Sequence, residues 1–136
     1  NKFEFGKIRY LKKGSDVSII SYGITVKVAN ELSKKLEEIG KSVTLISCHT
    51  IKPIDKNGIQ EVLEKHKTNI VIEEHVPHGG LSSRVKEIAL EIKTKNDLSC
   101  FTLKDKFIHF YGNHQELLDV HDLSLEKIFK KIKSKI

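Results

Sequence analysis

The feature that most constrains this chain is a change of hydrophobic period that occurs three times in succession. Val17-Ser18-Ile19-Ile20-Ser21-Tyr22 is a nearly continuous β-branched and aromatic run, broken by Gly23. From Ile24 to Ile39 the period becomes helical, with Val28, Leu32, Leu36 and Ile39 on one face and Gly40 as a C-cap. Val43 to Cys48 repeats the strand pattern, and Lys56 to Lys67 repeats the helix, with Ile59, Val62, Leu63 and His66 on one side. Asn69 to Glu74 and then Leu81 to Lys93, with Leu81, Val85, Ile88, Ala89 and Ile92 aligned, complete the third unit. Strands this apolar are buried on both faces. Alternated with helices, they require right-handed crossovers and a parallel sheet covered on both sides.

The remaining segments extend that core. Leu98 to Leu103 is a fourth strand of the same kind. Short helices are expected around Gln115 to Leu118 and from Ser124 onward, where Leu125, Ile128, Phe129, Ile132 and Ile136 recur. Lys7 to Lys13 reads as a strand that precedes a turn at Gly14-Ser15-Asp16, which predicts an antiparallel edge strand. The fold class is therefore α/β: a three-layer α/β/α domain with a mixed five-strand sheet and one antiparallel edge strand. No linker or low-complexity stretch divides the chain, so residues 1–136 are expected to form a single domain. A length of 136 suits one domain.

Composition narrows the class of function. Hydrophobic residues at 38% and charged residues at 31% exclude an intrinsically disordered chain. No apolar run reaches the ~18–20 residues of a membrane span, and Asn1 to Phe5 carries no secretion pattern. A cytoplasmic location is the expectation, with no membrane partner. The net charge of +6 gathers in the last ten residues, at Lys127, Lys130, Lys131, Lys133 and Lys135. It reads as a solvated helix face, and with no aromatic–basic strip present, nucleic acid is not an expected partner. Cys48 and Cys100 lie in no CxxC motif and read as reduced thiols. The chain has no methionine, position 1 included, which points to a fragment of a longer protein.

In an open α/β sheet ligands bind beyond the carboxyl ends of the strands. That rule selects the loops at Tyr22-Gly23-Ile24-Thr25, Cys48-His49-Thr50, Glu73 to Gly80 and Lys104-Asp105-Lys106. The lone Gly23 belongs to neither a dinucleotide nor a triphosphate motif. Gly79 and Gly80 precede Leu81, Ser82 and Ser83, whose backbone N–H groups and hydroxyls form a candidate anion site. The competing reading is that the glycines let the loop pass close to a neighbour. Glu73 and Glu74 point to opposite faces and cannot act as an acid–base pair. One of them is expected to cap a helix or pair with Arg84 or a lysine, and the other to face a cleft.

His49, His75 and His78 follow strands on the same sheet edge. Were those strands neighbours, three imidazoles would converge in the manner of a zinc or iron site. Their spacing matches no metal motif, so a hydrogen-bonding or interface role is expected, and no metal is assigned. His66, His109, His114 and His121 look scattered. No nucleophile elbow, Ser/His/Asp set or diphosphate motif is present, so no catalytic residue is expected in this chain.

The run from Gly14 to Gly23 resembles the opening of the C-terminal domain of transketolase-like, thiamine-diphosphate-dependent enzymes. Thr50-Ile51-Lys52-Pro53-Ile54-Asp55 is similar to that family's strand-to-helix motif. Val71-Ile72-Glu73-Glu74-His75 with Gly79-Gly80-Leu81 resembles its acidic strand end and Gly-Gly loop. Lys104 to Ile108, Tyr111-Gly112 and Glu116-Leu117-Leu118 resemble its closing segment. The four matches run in order from about Lys7 to Lys130. Where relatives often carry an acidic residue and an Arg before the Thr, this chain has Cys48-His49.

The resemblance implies a parent enzyme that moves a two-carbon ketol unit between sugar phosphates. Relatives include 1-deoxyxylulose-5-phosphate synthase and 2-oxo acid dehydrogenase β subunits. The loop and the Tyr-Gly ending lean toward a transketolase-type protein, including the split kind. Thiamine diphosphate and Mg would sit on the parent's other domains and none on this one, which by itself is expected to be inactive. Its expected task is homodimer assembly with the remaining domains or N-terminal subunit, and bordering the substrate entrance with His49, Glu74, His75, His78, Gly79 and Gly80. A stand-alone regulatory module binding an anionic metabolite is the alternative.

Overall fold

The computed structural model describes residues 3–136; Asn1 and Lys2, the start of the expected domain, lie outside the described residues. Ten elements follow one another: β1 (Arg9–Lys12), β2 (Val17–Ser21), α1 (Thr25–Glu38), β3 (Val43–Ser47), α2 (Lys56–Lys65), β4 (Thr68–Ile72), α3 (Leu81–Glu91), β5 (Asp97–Phe101), α4 (His114–Val120) and α5 (Leu125–Lys133). The sheet order is β1-β3-β2-β4-β5. β2, β3, β4 and β5 run parallel, and β1 lies antiparallel on β3. The expected mixed five-strand α/β sheet is thus present, with its antiparallel strand at the edge. No helix among the described residues is long and apolar enough to cross a membrane.

Strand alternation divides the core into two apolar layers. Val17, Ile19, Leu45, Ile70, Ile72 and Phe101 face α1, α4 and α5 through Ala29, Leu32, Leu36, Leu118, Ile128 and Ile132. Ile20, Ile46 and Val71 point the other way and meet Ile59, Val62 and Leu63 of α2 and Leu81, Val85 and Ile88 of α3. Adjacent residues therefore serve opposite faces, as a strand requires. Burial of each Val, Leu, Ile or Phe side chain there stabilises by about 1.5–3 kcal/mol.

The turn at Gly14 does not close a hairpin between β1 and β2. β2 already has β3 on one edge and β4 on the other, so β1 crosses to the free edge of β3. Gly14 is held there by Thr44: its N–H donates to the hydroxyl oxygen at 2.9 Å, and the hydroxyl lies 2.9 Å from its carbonyl. A Cβ at Gly14 would stand 2.5 Å from the Val43 backbone, so glycine is required by crowding.

Several elements end earlier than the periodicity predicts. α2 stops at Lys65 because His66 turns extended and tucks inward. Its Nδ1 lies 2.9 Å from the Val62 carbonyl and its Nε2 2.9 Å from Thr44 Oγ1. β4 stops at Ile72, which puts both Glu73 and Glu74 in the following loop. α4 begins at His114, fixed by a capping box in which Asn113 and Glu116 exchange side-chain bonds with each other's backbone N–H.

Candidate functional site

At the carboxyl edge β2 and β4 are laced together by hydroxyls. Ser21 Oγ lies 2.8 Å from both the Ile72 carbonyl and Thr25 Oγ1, and Thr25 Oγ1 lies 2.8 Å from the Tyr22 carbonyl. Gly23, with a positive φ of 59°, completes the turn into α1. These contacts set where Tyr22 and the start of the β4–α3 loop sit.

Glu73 is the centre of that loop. It is fully buried, and its carboxylate accepts the Leu81 N–H on Oε2 and the Ser82 N–H on Oε1, each at 2.8 Å. The Tyr22 hydroxyl donates to Oε2 at 3.4 Å. Burial and the Glu73 charge together hold the Tyr22 phenol above its usual pKa. The helix-capping glutamate expected from the sequence is Glu73. Its carboxylate stands where the Leu81-Ser82-Ser83 reading put an external anion, and the Leu81 and Ser82 N–H groups are already engaged. Ser83 is engaged as well: its hydroxyl accepts the Gly79 N–H and donates to the Pro77 carbonyl, both at 2.9 Å.

The glycine pair follows from this arrangement. Gly79 has φ +82°, and a Cβ on Gly80 would lie 2.4 Å from Glu73 Oε2 and 2.9 Å from His75 Nδ1. Close backbone approach, one of the two readings of the pair, is what the geometry requires at Gly80.

Glu74 projects to solvent and meets His114 Nε2 at 3.0 Å, joining the β4 loop to α4. His75 donates from Nδ1 to its neighbour's carbonyl, Val76, at 2.8 Å. His49 stacks on Phe3 with ring centroids 4.2 Å apart and donates to the Glu4 carbonyl at 3.1 Å. His78 is exposed. The three histidines do not converge, because β3 and β4 are separated by β2. Among the described residues no group of three His, Cys, Asp or Glu side chains is placed to hold a metal ion.

His121, read as scattered, and Asp55, the last residue of the Thr50–Asp55 motif, prove to be structural anchors. His121 is buried and accepts the Lys104 N–H on Nδ1 at 2.8 Å; burial, then Lys104 and Lys106, hold its pKa below the ordinary histidine value. Lys104 Nζ also reaches the Val120 carbonyl and Asp122. Asp55 caps α2 through the Gly58 N–H at 3.2 Å and accepts the Ile8 N–H at 3.1 Å, tying the approach to β1 to the α2 start. Neither histidine spacing nor charge pattern signals His121; Asp55, just ahead of an apolar-periodic segment, carries a readable N-cap signal. The thiols are quiet. Burial pushes Cys48 up to about 11 and raises Cys100 as well, so neither is a thiolate near neutral pH.

From Lys104 the chain runs outward with aromatic side chains in solvent. Phe107 is 92% exposed, Phe110 49%, and Tyr111 fully exposed, while Ile24 beside α1 is 62% exposed. Ile24 also lines a groove of about 440 Å³ between α1, α4 and the start of α5, with Val28, Leu118 and Leu125 in its wall.

The internally capped α3 and the exposed aromatic segment sit on a mixed five-strand α/β domain. Residues 6–128 match the family described as "Transketolase, C-terminal domain", and the chain belongs to it. The 1-deoxy-D-xylulose-5-phosphate synthases of Clostridium acetobutylicum and Dictyoglomus thermophilum are 36% and 35% identical to it over 131 residues, 96% of this chain and 21% of theirs. The chain thus spans about a fifth of the length of those relatives. A solved split-gene transketolase, described as an inactive β4 tetramer, superposes with a TM-score of 0.85 at 28% identity, covering 98% of this chain and 43% of that one. Campylobacter jejuni transketolase shares the fold, with a TM-score of 0.69 at 17% identity over 95% of this chain and 18% of its own.

Proposed function

We propose that this chain is the assembly domain of a thiamine-diphosphate-dependent enzyme that transfers a two-carbon unit onto phosphorylated sugars in the cytoplasm. The observation that carries the proposal is the Phe107–Phe110–Tyr111 segment, whose rings lie in water beside the sheet's carboxyl edge. Exposed aromatic patches of this kind mark protein interfaces. The partner is the cofactor-binding remainder of the enzyme, as adjoining domains or a separate subunit, with dimerisation through the same edge. His49, Glu74, His75, His78 and the Gly79-Gly80 loop then border the substrate entrance.

The residues here do not suit the cofactor itself. The helix N-terminus read as a candidate anion site is filled by Glu73, and no step of cofactor chemistry is assigned to this chain. The same occupancy counts against a stand-alone metabolite-binding module at that place. Transketolase and 1-deoxy-D-xylulose-5-phosphate synthase are the two candidate parent enzymes. The identity of 36% favours the second reading as a full alternative.

Co-expression of the chain with the cofactor-binding part tests the proposal. A complex is expected that either transfers a ketol unit from a ketose phosphate or forms 1-deoxy-D-xylulose 5-phosphate. The double variant Phe107→Ser/Tyr111→Ser should keep the melting temperature of the chain and weaken the complex about tenfold or more. Micromolar binding of thiamine diphosphate by the chain alone, or full assembly by the double variant, would refute it.

A further inference from the structure

The opposite edge of the sheet has a different character. Each strand of the parallel sheet begins there, and each helix returns there, so the αβ loops form a row. Lys41 precedes β3, Lys67 precedes β4 and Lys95 precedes β5, with Lys65 at the end of α2 and Lys135 beyond α5. These five lysines line one groove of about 800 Å³ that also contains Asp16 and Asp97. β3, β2, β4 and β5 are consecutive neighbours, so the row extends roughly 14 Å at ~4.8 Å per strand.

The lysines outnumber the two lining carboxylates, Asp16 and Asp97. Lys135 is engaged by Ser99 Oγ at 2.7 Å and by Asp97 at 3.5 Å. Lys41 acts electrostatically on Asp16, while among the described residues Lys65, Lys67 and Lys95 have no carboxylate within ion-pair distance. Helix C-termini do favour cations, but Lys41, Lys67 and Lys95 stand outside the helices, in the connecting loops. With five lysines against Asp16 and Asp97, the concave wall carries an excess of positive charge, and such a wall focuses its field on anions.

We propose that this groove is an anion site, remote from the carboxyl edge, for a small ligand carrying several linked phosphate groups. The volume falls within the range of small-ligand sites. Lysine recognises phosphate as a mobile point charge, and several lysines on separate loops suit several phosphates better than one. The lining holds no aromatic side chain, so nothing in it stacks a base.

Isotope-labelled chain titrated with inorganic tripolyphosphate, and in parallel with orthophosphate, tests the site by NMR. Tripolyphosphate should shift amide resonances of the loops at residues 41, 67 and 95, bind at least about tenfold more tightly than orthophosphate, and weaken as salt rises. The variant Lys65→Gln/Lys67→Gln/Lys95→Gln should lose about tenfold or more in affinity. The control Lys34→Gln/Lys56→Gln/Lys86→Gln removes equal charge elsewhere and should bind like the parent. Equal losses in both variants, shifts spread over the whole surface, or tighter binding of a glutamate-rich peptide or single-stranded oligonucleotide than of tripolyphosphate would overturn the proposal.

Discussion

Replacing Glu73 with Gln perturbs the carboxyl edge at its centre with almost no change of shape. Each carboxylate oxygen accepts one helix N–H at 2.8 Å in a fully buried setting. Gln keeps one acceptor and turns an NH2 group toward the other N–H. One charge-assisted hydrogen bond is lost, worth about 1.5–3 kcal/mol, and a buried donor is left unpaired. The negative charge at the helix N-terminus also goes, at a further cost of up to about 1 kcal/mol, while relief of carboxylate desolvation returns part of the total. The expected net loss is about 2–4 kcal/mol. For a chain of this size that lowers the melting temperature by roughly 10 °C. Urea and thermal unfolding followed by circular dichroism measure both quantities. Glu74→Gln, at an exposed pair, should stay within about 1 kcal/mol of the parent. Gly80→Ala should cost a similar amount to Glu73→Gln, because its Cβ would stand 2.4 Å from Glu73 Oε2. In a Glu73→Ala background part of that cost disappears, giving a coupling of about 1 kcal/mol or more. A loss under about 0.5 kcal/mol for Glu73→Gln, or strict additivity in the cycle, would refute the capping argument.

His121 adds a pH dependence. Its folded pKa lies below the unfolded value of ~6.5, so the unfolded chain binds the proton more readily. Its contribution is therefore complete above about pH 6.5 and is lost as pH falls toward the folded value; the urea midpoint should drop from pH 7.5 to 5.5, with a smaller drop in His121→Asn. Cys48, raised to about 11, should resist iodoacetamide at pH 8 in the folded chain and react only when urea opens it; labelling at a free-thiol rate in native buffer would contradict its burial.

Much of the architecture was readable because burial imposes periodicity. Strands covered on both faces must be apolar throughout, and their helices must carry a stripe, so β2, β3, β4 and α1, α2, α3 announce themselves. Boundaries were less readable. His66 shares the apolar face of α2 by spacing, yet it ends the helix because its two ring nitrogens find partners off it, at Val62 and Thr44. The Gly79-Gly80 loop was visible as a place of close approach or anion binding. Which of these it was depended on a carboxylate only a few residues upstream, whose direction no local pattern encodes.

The sequence alone therefore determined the class of fold, the sheet edge at which the family's loops gather, and the family itself, since these follow from local period and motif order. Tertiary structure decided the rest. It moved β1 past β2 to the edge of β3, because the central strand had no free edge. It filled the α3 N-terminus with Glu73, because a buried carboxylate and unpaired N–H groups satisfy each other. It also brought lysines from separate loops to one groove, because parallel strands all begin on the same side.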